Sequence, residues 1–237
     1  MADRHPGPGK GLANRKDLQI PDVQDGGMDY THDEVRDWVF GLADEILRRF
    51  DVDGLEFDYC RWMHVFPRKR ARDSHPIMTQ FLRRVRTRLD AESRKRGRRL
   101  LLGTRVPLTL AECKSLGYDV ATWIKEGLVD YIAPSDFFFT DFNARVEEFA
   151  ALTHGTGCML FPAMHPKTCW QDQDHFMSQE NYRAAAQNLY AAGADGISLL
   201  NFMYHWVGRT LDYPPGPSKY PLALTWLREL RDPGGFG

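Results

Sequence analysis

The sequence predicts an α/β fold with parallel strands, as in a (β/α)8 TIM-type barrel. Helical apolar periodicity and short strand-like apolar runs alternate along the chain, an order that is typical of parallel sheets. The strand candidates recur every ~30–45 residues, a spacing compatible with barrel units that carry loops of varying length. No Gly-rich phosphate-binding turn follows a strand, which argues against a doubly wound open sheet.

The predicted barrel is incomplete. Five strands are recognisable, whereas a barrel has eight. We therefore expect strands four to eight to be present and strands one to three to be missing, with Met1 just after strand three. The chain 1–237 is expected to be a single partial barrel domain. Within it we expect an irregular loop region at 1–32, the alternating units at 33–202, and a C-terminal loop and helix at 203–237.

The first helix and strand follow the Gly- and Pro-rich N-terminal residues. A Thr-x-x-Glu pattern, Thr31 and Glu34, predicts a capping box, and apolar residues then recur at helical spacing as far as Phe50. Apolar and acidic residues alternate in Leu55–Tyr59, as they do in a strand. Further strands are predicted at Leu100–Val106, Val129–Pro134, Cys158–Ala163 and Gly196–Phe202. Further helices are predicted at Pro76–Arg96, Val120–Glu126, Asn143–Leu152, Gln179–Ala192 and Leu222–Leu230.

The composition excludes several classes of partner. The chain of 237 residues is 43% hydrophobic and 27% charged, as in an ordinary globular domain. Its net charge of -1 produces no field that would gather nucleic acid or anionic membrane. Two basic runs, at 68–72 and 94–99, adjoin a helix whose apolar residues share one face, so we interpret them as solvated surface. A neutral or small polar substrate fits this charge balance better.

The four cysteines are far apart and show no metal-binding spacing, so we expect free thiols and no metal or other cofactor. No apolar stretch approaches the ~18 residues of a membrane span, and the N-terminus lacks the apolar run of a signal peptide. These features leave the cellular location and the oligomeric state open.

Two acidic residues share one face of the first predicted strand. Because successive strand side chains point to opposite faces, Glu56 and Asp58 should face the barrel axis, and Phe57 and Tyr59 the other side. Asp58 is nearer the carboxyl end of the strand, where barrel active sites are built. Neighbouring buried carboxylates repel each other, so one can keep a proton at neutral pH. Alternatively, Glu56 pairs with an inward-facing base such as Arg105 and only organises the site.

The same strand carries a family resemblance. The segment from Val35 through Asp53-Gly54-Leu55-Glu56-Phe57-Asp58-Tyr59 to Trp62 resembles the "helix, then D-G-[IL]-E-[LF]-D-x-x-R" segment of bacterial family 10-like glycosyl hydrolases, which are (β/α)8 barrels. Segments at 117–131, 191–196 and 200–202 are similar to the same family, and Met1–His5 resembles its strand-three end. The resemblance implies a barrel of the glycoside hydrolase type.

Glycoside hydrolysis usually needs a second carboxylate. Asp136 directly follows a predicted strand and precedes an aromatic run, and Asp141 is the reserve candidate. Alternatively, Ser135 and Asp136 form a turn or a helix cap. Met164 and His165 occupy the strand-seven end, where the best-known clan of barrel glycosidases places its nucleophilic glutamate.

Other polar residues at predicted strand ends would line a saccharide pocket by donating hydrogen bonds and offering stacking faces. They are Arg61, Trp62, Arg105, His165, Asn201 and His205. A competing interpretation takes Asp58, Asp136, His165 and His205, with His5 as a further candidate, as ligands of a metal-dependent barrel hydrolase. No two of these residues have a recognised short spacing.

We therefore expect hydrolysis of a glycosidic bond in a poly- or oligosaccharide, with Asp58 and Asp136 as the carboxylate pair and Glu56 tuning them. The alternative from another class is a non-catalytic saccharide-binding barrel, or a fragment without activity of its own.

Overall fold

The computed structural model describes residues 12, 15–23, 27–60, 63–136, 139–168, 176–202 and 222–231. The helices in this part of the chain are α1 Asp33–Arg49, α2 Arg68–Ala71, α3 His75–Arg96, α4 Leu110–Leu116, α5 Val120–Lys125, α6 Glu147–Thr153, α7 Gln179–Ala191 and α8 Leu222–Glu229. The strands are β1 Gly54–Asp58, β2 Leu101–Pro107, β3 Tyr131–Ser135, β4 Met159–Leu160, β5 Ala163–Met164 and β6 Ser198–Leu199.

The order of helices and strands confirms the predicted α/β class. Most predicted elements agree closely with the observed ones, but α2 and α4 are not predicted from the sequence. Both are too short to show an apolar period, since α4 buries only Cys113 and Leu116. Helix α6 begins later than predicted because the Asp141 carboxylate accepts the Asn143 amide at 2.8 Å and forms a turn there. Within the described residues, no helix is long and apolar enough to cross a membrane.

The predicted capping box of α1 is wrong. His32 is the N-cap residue and makes no side-chain cap hydrogen bond. The Thr31 amide donates to the Asp29 carboxylate at 2.8 Å, and the Glu34 carboxylate accepts from Arg15 at 2.7 Å. Thr31 and Glu34 therefore each form a hydrogen bond with a residue outside the predicted capping box.

The described residues form two compact units. The first comprises those up to Thr104 together with 111–130, and the second comprises 105–110 and those from Tyr131 onward. Strand β2 contributes its beginning to the first unit and its end to the second.

In the first unit, β1 lies beside β2 and packs its apolar face on an aromatic core. The Phe57 ring lies 5.5 Å from that of Phe81, and the Tyr59 ring lies 5.0 Å from that of Tyr118, which contacts Trp123 in turn. Burial raises the pKa of the Tyr59 and Tyr118 phenols well above the ordinary value. The predicted alternation along this strand is therefore confirmed, with Glu56 and Asp58 on its exposed face.

Helix α3 buries the predicted apolar face, formed by Phe81, Leu82, Val85 and Leu89. Several arginines of α3 also form ion pairs and hydrogen bonds with α1. Arg88 donates to the Asp44 carboxylate of α1 at 2.6 Å, Arg84 pairs with Asp37, and Arg96 donates to the Phe50 carbonyl at the end of α1. The basic residues of α3 therefore attach it to the neighbouring helix.

The carboxylate of Asp130, which is only 5% exposed, joins three elements of the first unit. It accepts from Arg86 of α3 at 2.9 Å, from Arg99 at 2.8 Å and from the backbone amide of Leu102 in β2 at 2.7 Å. The Asp130 amide also donates to the Leu102 carbonyl at 2.7 Å. Because this aspartate immediately precedes β3, it sets the position at which β3 starts.

In the second unit, one predicted strand is divided into two. Strand β4 pairs in parallel with β3, and β5 pairs in parallel with β6. The division falls at Phe161 and Pro162, and proline has no amide hydrogen to donate to a neighbouring strand. Asp195 repeats the arrangement of Asp130, because its carboxylate accepts the Leu160 amide at 2.8 Å and its amide donates to the Leu160 carbonyl at 2.9 Å.

A hydrogen bond across the second unit shows that its strands curve. Arg105 Nη2 donates to Ser198 Oγ at 2.9 Å, although β3 and the β4–β5 segment stand between β2 and β6. Adjacent strands are ~4.8 Å apart, so a flat arrangement would separate β2 and β6 by roughly 14 Å. The strands therefore bend toward one another, as barrel strands do, without closing a barrel within the described residues.

We predict that Asp130→Asn lowers the free energy of unfolding by about 3–5 kcal/mol, because two arginines would lose the buried charge that they surround. Urea denaturation measures this loss. Glu126→Gln is the matched control, because it breaks the more exposed Arg83–Glu126 ion pair, and its effect should be much smaller. Equal effects of the two substitutions would contradict the role assigned to Asp130.

A second prediction concerns the attachment of α8 to α7. Hydrogen bonds from Arg183 and Gln179 lower the pKa of Glu229 from 4.5 to about 2. Because the folded-state pKa is the lower one, the contact stabilises the fold above pH 4.5 and is lost as the pH falls toward about 2. The Trp226 indole of α8, 6.0 Å from the Tyr182 ring, should report this loosening by NMR. Arg183→Gln should remove the pH dependence, and Arg228→Gln should retain it.

Candidate functional site

The two acids of β1 lie at the surface of the first unit. Glu56 and Asp58 are both exposed, so the expectation that they are buried beside each other is wrong for the described residues. The inner face of a barrel remains open to solvent where the barrel is not closed. Asp58 Oδ1 accepts the Cys60 amide at 2.8 Å, which holds this carboxylate in the turn that leaves β1.

Asp136 is half-buried and directly follows β3 in the second unit. The buried Ser135 hydroxyl donates to the Asp136 carbonyl at 2.6 Å, so this pair has turn character, as one interpretation of the sequence expects. The reserve candidate, Asp141, uses its carboxylate to form the turn before α6. Phe137 and Phe138, the expected aromatic lip, lie outside the described residues.

A buried polar group lies beyond the ends of β3 and β5. We call it the His165 cluster, and it consists of Thr140, His165, Lys167 and Asn201. The Thr140 hydroxyl donates to the His165 carbonyl at 2.7 Å and accepts the His165 amide at 2.8 Å. The Thr140 amide donates to the Lys167 carbonyl at 2.8 Å. These bonds join the loop after β3 to the segment after β5.

The imidazole of His165, which is only 2% exposed, is held at both nitrogens. The Lys167 amide donates to Nδ1 at 3.3 Å, and the side-chain nitrogen of Asn201, Nδ2, lies 3.4 Å from Nε2. Asn201 has a φ of 55°, the left-handed region, and is the only non-glycine residue of the described part of the chain with a positive φ. Asparagine tolerates this region better than most residues, and such residues often occur at functional sites.

The structure therefore brings together part of the residue set predicted from the sequence. His165 and Asn201 contact each other, and Arg105 reaches Ser198, three positions before Asn201 on the same segment. Glu56 and Asp58 belong to the first unit and Asp136 to the second. Arg61, Trp62 and His205 lie outside the described residues.

Thr140 and Lys167 were not among the site residues predicted from the sequence. Both are nearly fully buried, at 4% exposure, and they contact His165 only because the chain folds. The signal available in the sequence is weak: each stands a few residues beyond a predicted strand end, where site residues of barrels occur.

Among the residues described, no three His, Cys, Asp or Glu side chains are arranged to hold a metal ion. His205, one of the suggested metal ligands, lies outside the described residues. Cys60, Cys113 and Cys158 are buried thiols, and Cys169 is outside the described part.

The solved structures that are similar to this chain include one N-acetylglucosaminidase and two chitinases. A glycoside hydrolase family 18 N-acetylglucosaminidase from Paenibacillus barengoltzii is 11% identical over 72% of each chain, with a TM-score of 0.48. The chitinase ChiW from Paenibacillus sp. str. FPU-7 is 12% identical, with a TM-score of 0.54, over 85% of this chain and 31% of that chain. The chitinase ICChI from Ipomoea carnea is 13% identical over 69% of this chain and 61% of that chain, with a TM-score of 0.39.

Sequence comparison adds nothing to these structural likenesses: no protein-family model matches the chain, and no curated protein matches it. At 12% identity, the overlay on ChiW demonstrates the fold alone, and this chain spans about a third of the length of that multi-modular enzyme. The two overlays with TM-scores below 0.5 carry no argument. The chain therefore has a fold of the TIM-barrel type, as the sequence predicts, and the barrel is not closed within the described residues.

Proposed function

We propose that this chain is part of a glycoside hydrolase that cleaves a glycosidic bond in a poly- or oligosaccharide, with Asp58 and Asp136 as its carboxylate pair. The observation that carries the proposal is that Asp58 is the last residue of β1 and Asp136 directly follows β3. Catalytic groups of barrel enzymes come from the carboxyl ends of several strands. The barrel fold shared with a chitinase is compatible with this chemistry.

The chemistry requires two different carboxyl groups. One donates a proton to the leaving oxygen, and the other attacks the sugar carbon or activates water. Asp58 is exposed and oriented by the Cys60 amide, whereas Asp136 is half-buried. We assign Asp136 as the acid and Asp58 as the nucleophile or base. Glu56 is on the same strand face as Asp58 and would tune its charge.

The substrate proposal begins with ChiW, whose fold is similar and which is named as a chitinase. Oligomers of N-acetylglucosamine are therefore the first substrates to test. A finer proposal is that the chain acts as a family 10-like glycosyl hydrolase, which its β1 segment resembles. This proposal would widen the set of sugars to test. Arg61, Trp62, Arg105 and His205 are proposed as further substrate contacts.

We predict that Asp58→Asn and Asp136→Asn each reduce kcat on a cleaved saccharide by on the order of 10²–10⁴-fold, the usual contribution of an acid or base group. Release of reducing ends measures the rate. Asp141→Asn is the matched control, because its carboxylate already caps a turn, and it should cleave at nearly the parent rate. Glu56→Gln should give a smaller loss than either catalytic substitution.

Two results would contradict the proposal. Parent-like turnover by Asp58→Asn would remove this residue from the mechanism. Saccharide binding that survives both catalytic substitutions, in a parent chain that shows no turnover on a broad set of oligosaccharides, would instead indicate a non-catalytic saccharide-binding barrel.

A further inference from the structure

An open cleft of about 410 Å³ lies between residues 141–147 and residues 185–192 at the end of α7. Both of these segments belong to the second unit. The cleft shares no residue with the Asp58–Asp136 pair or with the His165 cluster. Its volume is within the range of roughly 300–1,000 Å³ that small-molecule sites occupy. The second unit therefore has room for a ligand away from the proposed carboxylate pair.

The two walls of the cleft follow from the local structure. One wall is a loop, because α6 begins only at Glu147. The Asp141 carboxylate accepts the Asn143 amide at 2.8 Å, which holds this loop in a turn. On the α7 wall, Ala185 and Ala192 have small side chains that leave space beside the helix. A held loop thus faces a helix across an open gap.

Three polar side chains of the cleft are available to a ligand. Asn143, Glu147 and Asn188 line the cleft and are exposed. Within the described part of the chain, none of these three side chains has a hydrogen-bond or ion-pair partner. A side-chain amide can both donate and accept, and a carboxylate accepts. This combination matches the hydroxyl groups of a sugar, which also donate and accept.

Apolar surface lies beside these polar groups. Phe142, which is half-buried, lines the cleft on the loop side, and Leu189 lines it on the α7 side. Apolar and aromatic surface with a few polar groups is the usual lining of a small-molecule site. An aromatic ring is also suited to pack against the apolar face of a sugar ring. The lining therefore fits both the hydroxyls and the C–H surface of a saccharide.

The charge of the lining favours an uncharged ligand. Among the described residues that line the cleft, the charged side chains are those of Asp141 and Glu147, and none is a lysine or an arginine. A carboxylated, sulfated or phosphorylated ligand would therefore meet like charge without a compensating cation. A neutral saccharide meets no such repulsion.

We propose that this cleft is a second saccharide-binding site, which takes a short neutral oligosaccharide. The two asparagines and Glu147 bind its hydroxyl groups, and Phe142 contacts the apolar face of a sugar ring. The inference goes beyond the proposed function, because binding here does not depend on the carboxylate pair that would perform the hydrolysis.

The test follows the side-chain amide signals of Asn143 and Asn188 by nitrogen-15 NMR. In the parent protein, both signals should shift when short oligomers of N-acetylglucosamine or of glucose are added. This measurement reports on the cleft alone and needs no turnover and no variant. If both signals stay unchanged up to millimolar saccharide, the proposal is overturned.

A pair of variants on α7 tests the contact itself. Asn188→Ala should weaken the binding followed at the Asn143 signal by about 3–10-fold, the value of one neutral hydrogen bond. Gln187→Ala is the matched control, because it removes the neighbouring exposed amide of α7, which does not line the cleft. Alanine favours a helix, so both variants should fold like the parent, which circular dichroism checks. Equal affinities of the two variants would contradict the proposal.

An acidic oligosaccharide tests the assigned ligand class. Oligogalacturonate, which carries a carboxylate on every sugar, should bind at least about 3-fold more weakly at low salt than a glucose oligomer of the same length. Equal or tighter binding of the acidic oligomer at the Asn143 signal would overturn the assignment of a neutral ligand.

This inference and the hydrolase proposal can fail separately. Saccharide-induced shifts of Asn143 and Asn188 in a protein that cleaves nothing would sustain the second site while the hydrolase proposal fails. Cleavage of a saccharide without any shift at these two residues would sustain the hydrolase proposal and overturn the second site.

Discussion

The buried carboxylate of Asp130 is the interaction on which the first unit depends. It receives two guanidinium groups and a backbone amide of β2, so it fixes α3 and β2 and the start of β3 together. A buried acid without such partners would be costly. The Arg86 guanidinium, whose side chain is only 7% exposed, would also lose its buried counter-charge without this acid. Asp195 uses the same geometry on Leu160 in the second unit. Aspartates before the strands thus set the strand positions at their amino ends.

This arrangement separates stability from chemistry along each strand. In barrels, the amino ends of strands serve stability and the carboxyl ends carry the site. Asp130, which precedes β3, stabilises the fold, and Asp136, which follows β3, is a candidate catalytic residue. One short strand therefore connects a stabilising aspartate to a candidate catalytic one. The His165 cluster extends the pattern, because its buried bonds hold the loops at the carboxyl ends in place.

Much of the fold could be predicted because its cause is local. The alternation of acidic and aromatic residues in β1 and the apolar face of α3 follow from side-chain periodicity, and the structure confirms both. The division of strand 158–163 also has a local cause, because Pro162 has no amide hydrogen to donate to a neighbouring strand. The capping box of α1 was wrong because Asp29 and Arg15, outside the helix, compete for its two members.

The rest of the site could not be predicted because its contacts join distant parts of the chain. Thr140 and His165 are 25 residues apart, and Arg105 and Ser198 are 93 apart. Burial of Lys167 also opposes the usual exposure of lysine. The sequence around Asn201 has the pattern of a continuing strand, so it does not predict the left-handed conformation of this residue. Such features appear only when the strand ends converge.

The central claim, that Asp58 and Asp136 act on one glycosidic bond, is tested most directly by a crystal structure with a bound oligosaccharide. The account predicts carboxyl carbons ~5–10 Å apart on either side of one linkage, the range of glycosidase pairs. Carboxyl groups that face different sides, or that are much further apart, would contradict it.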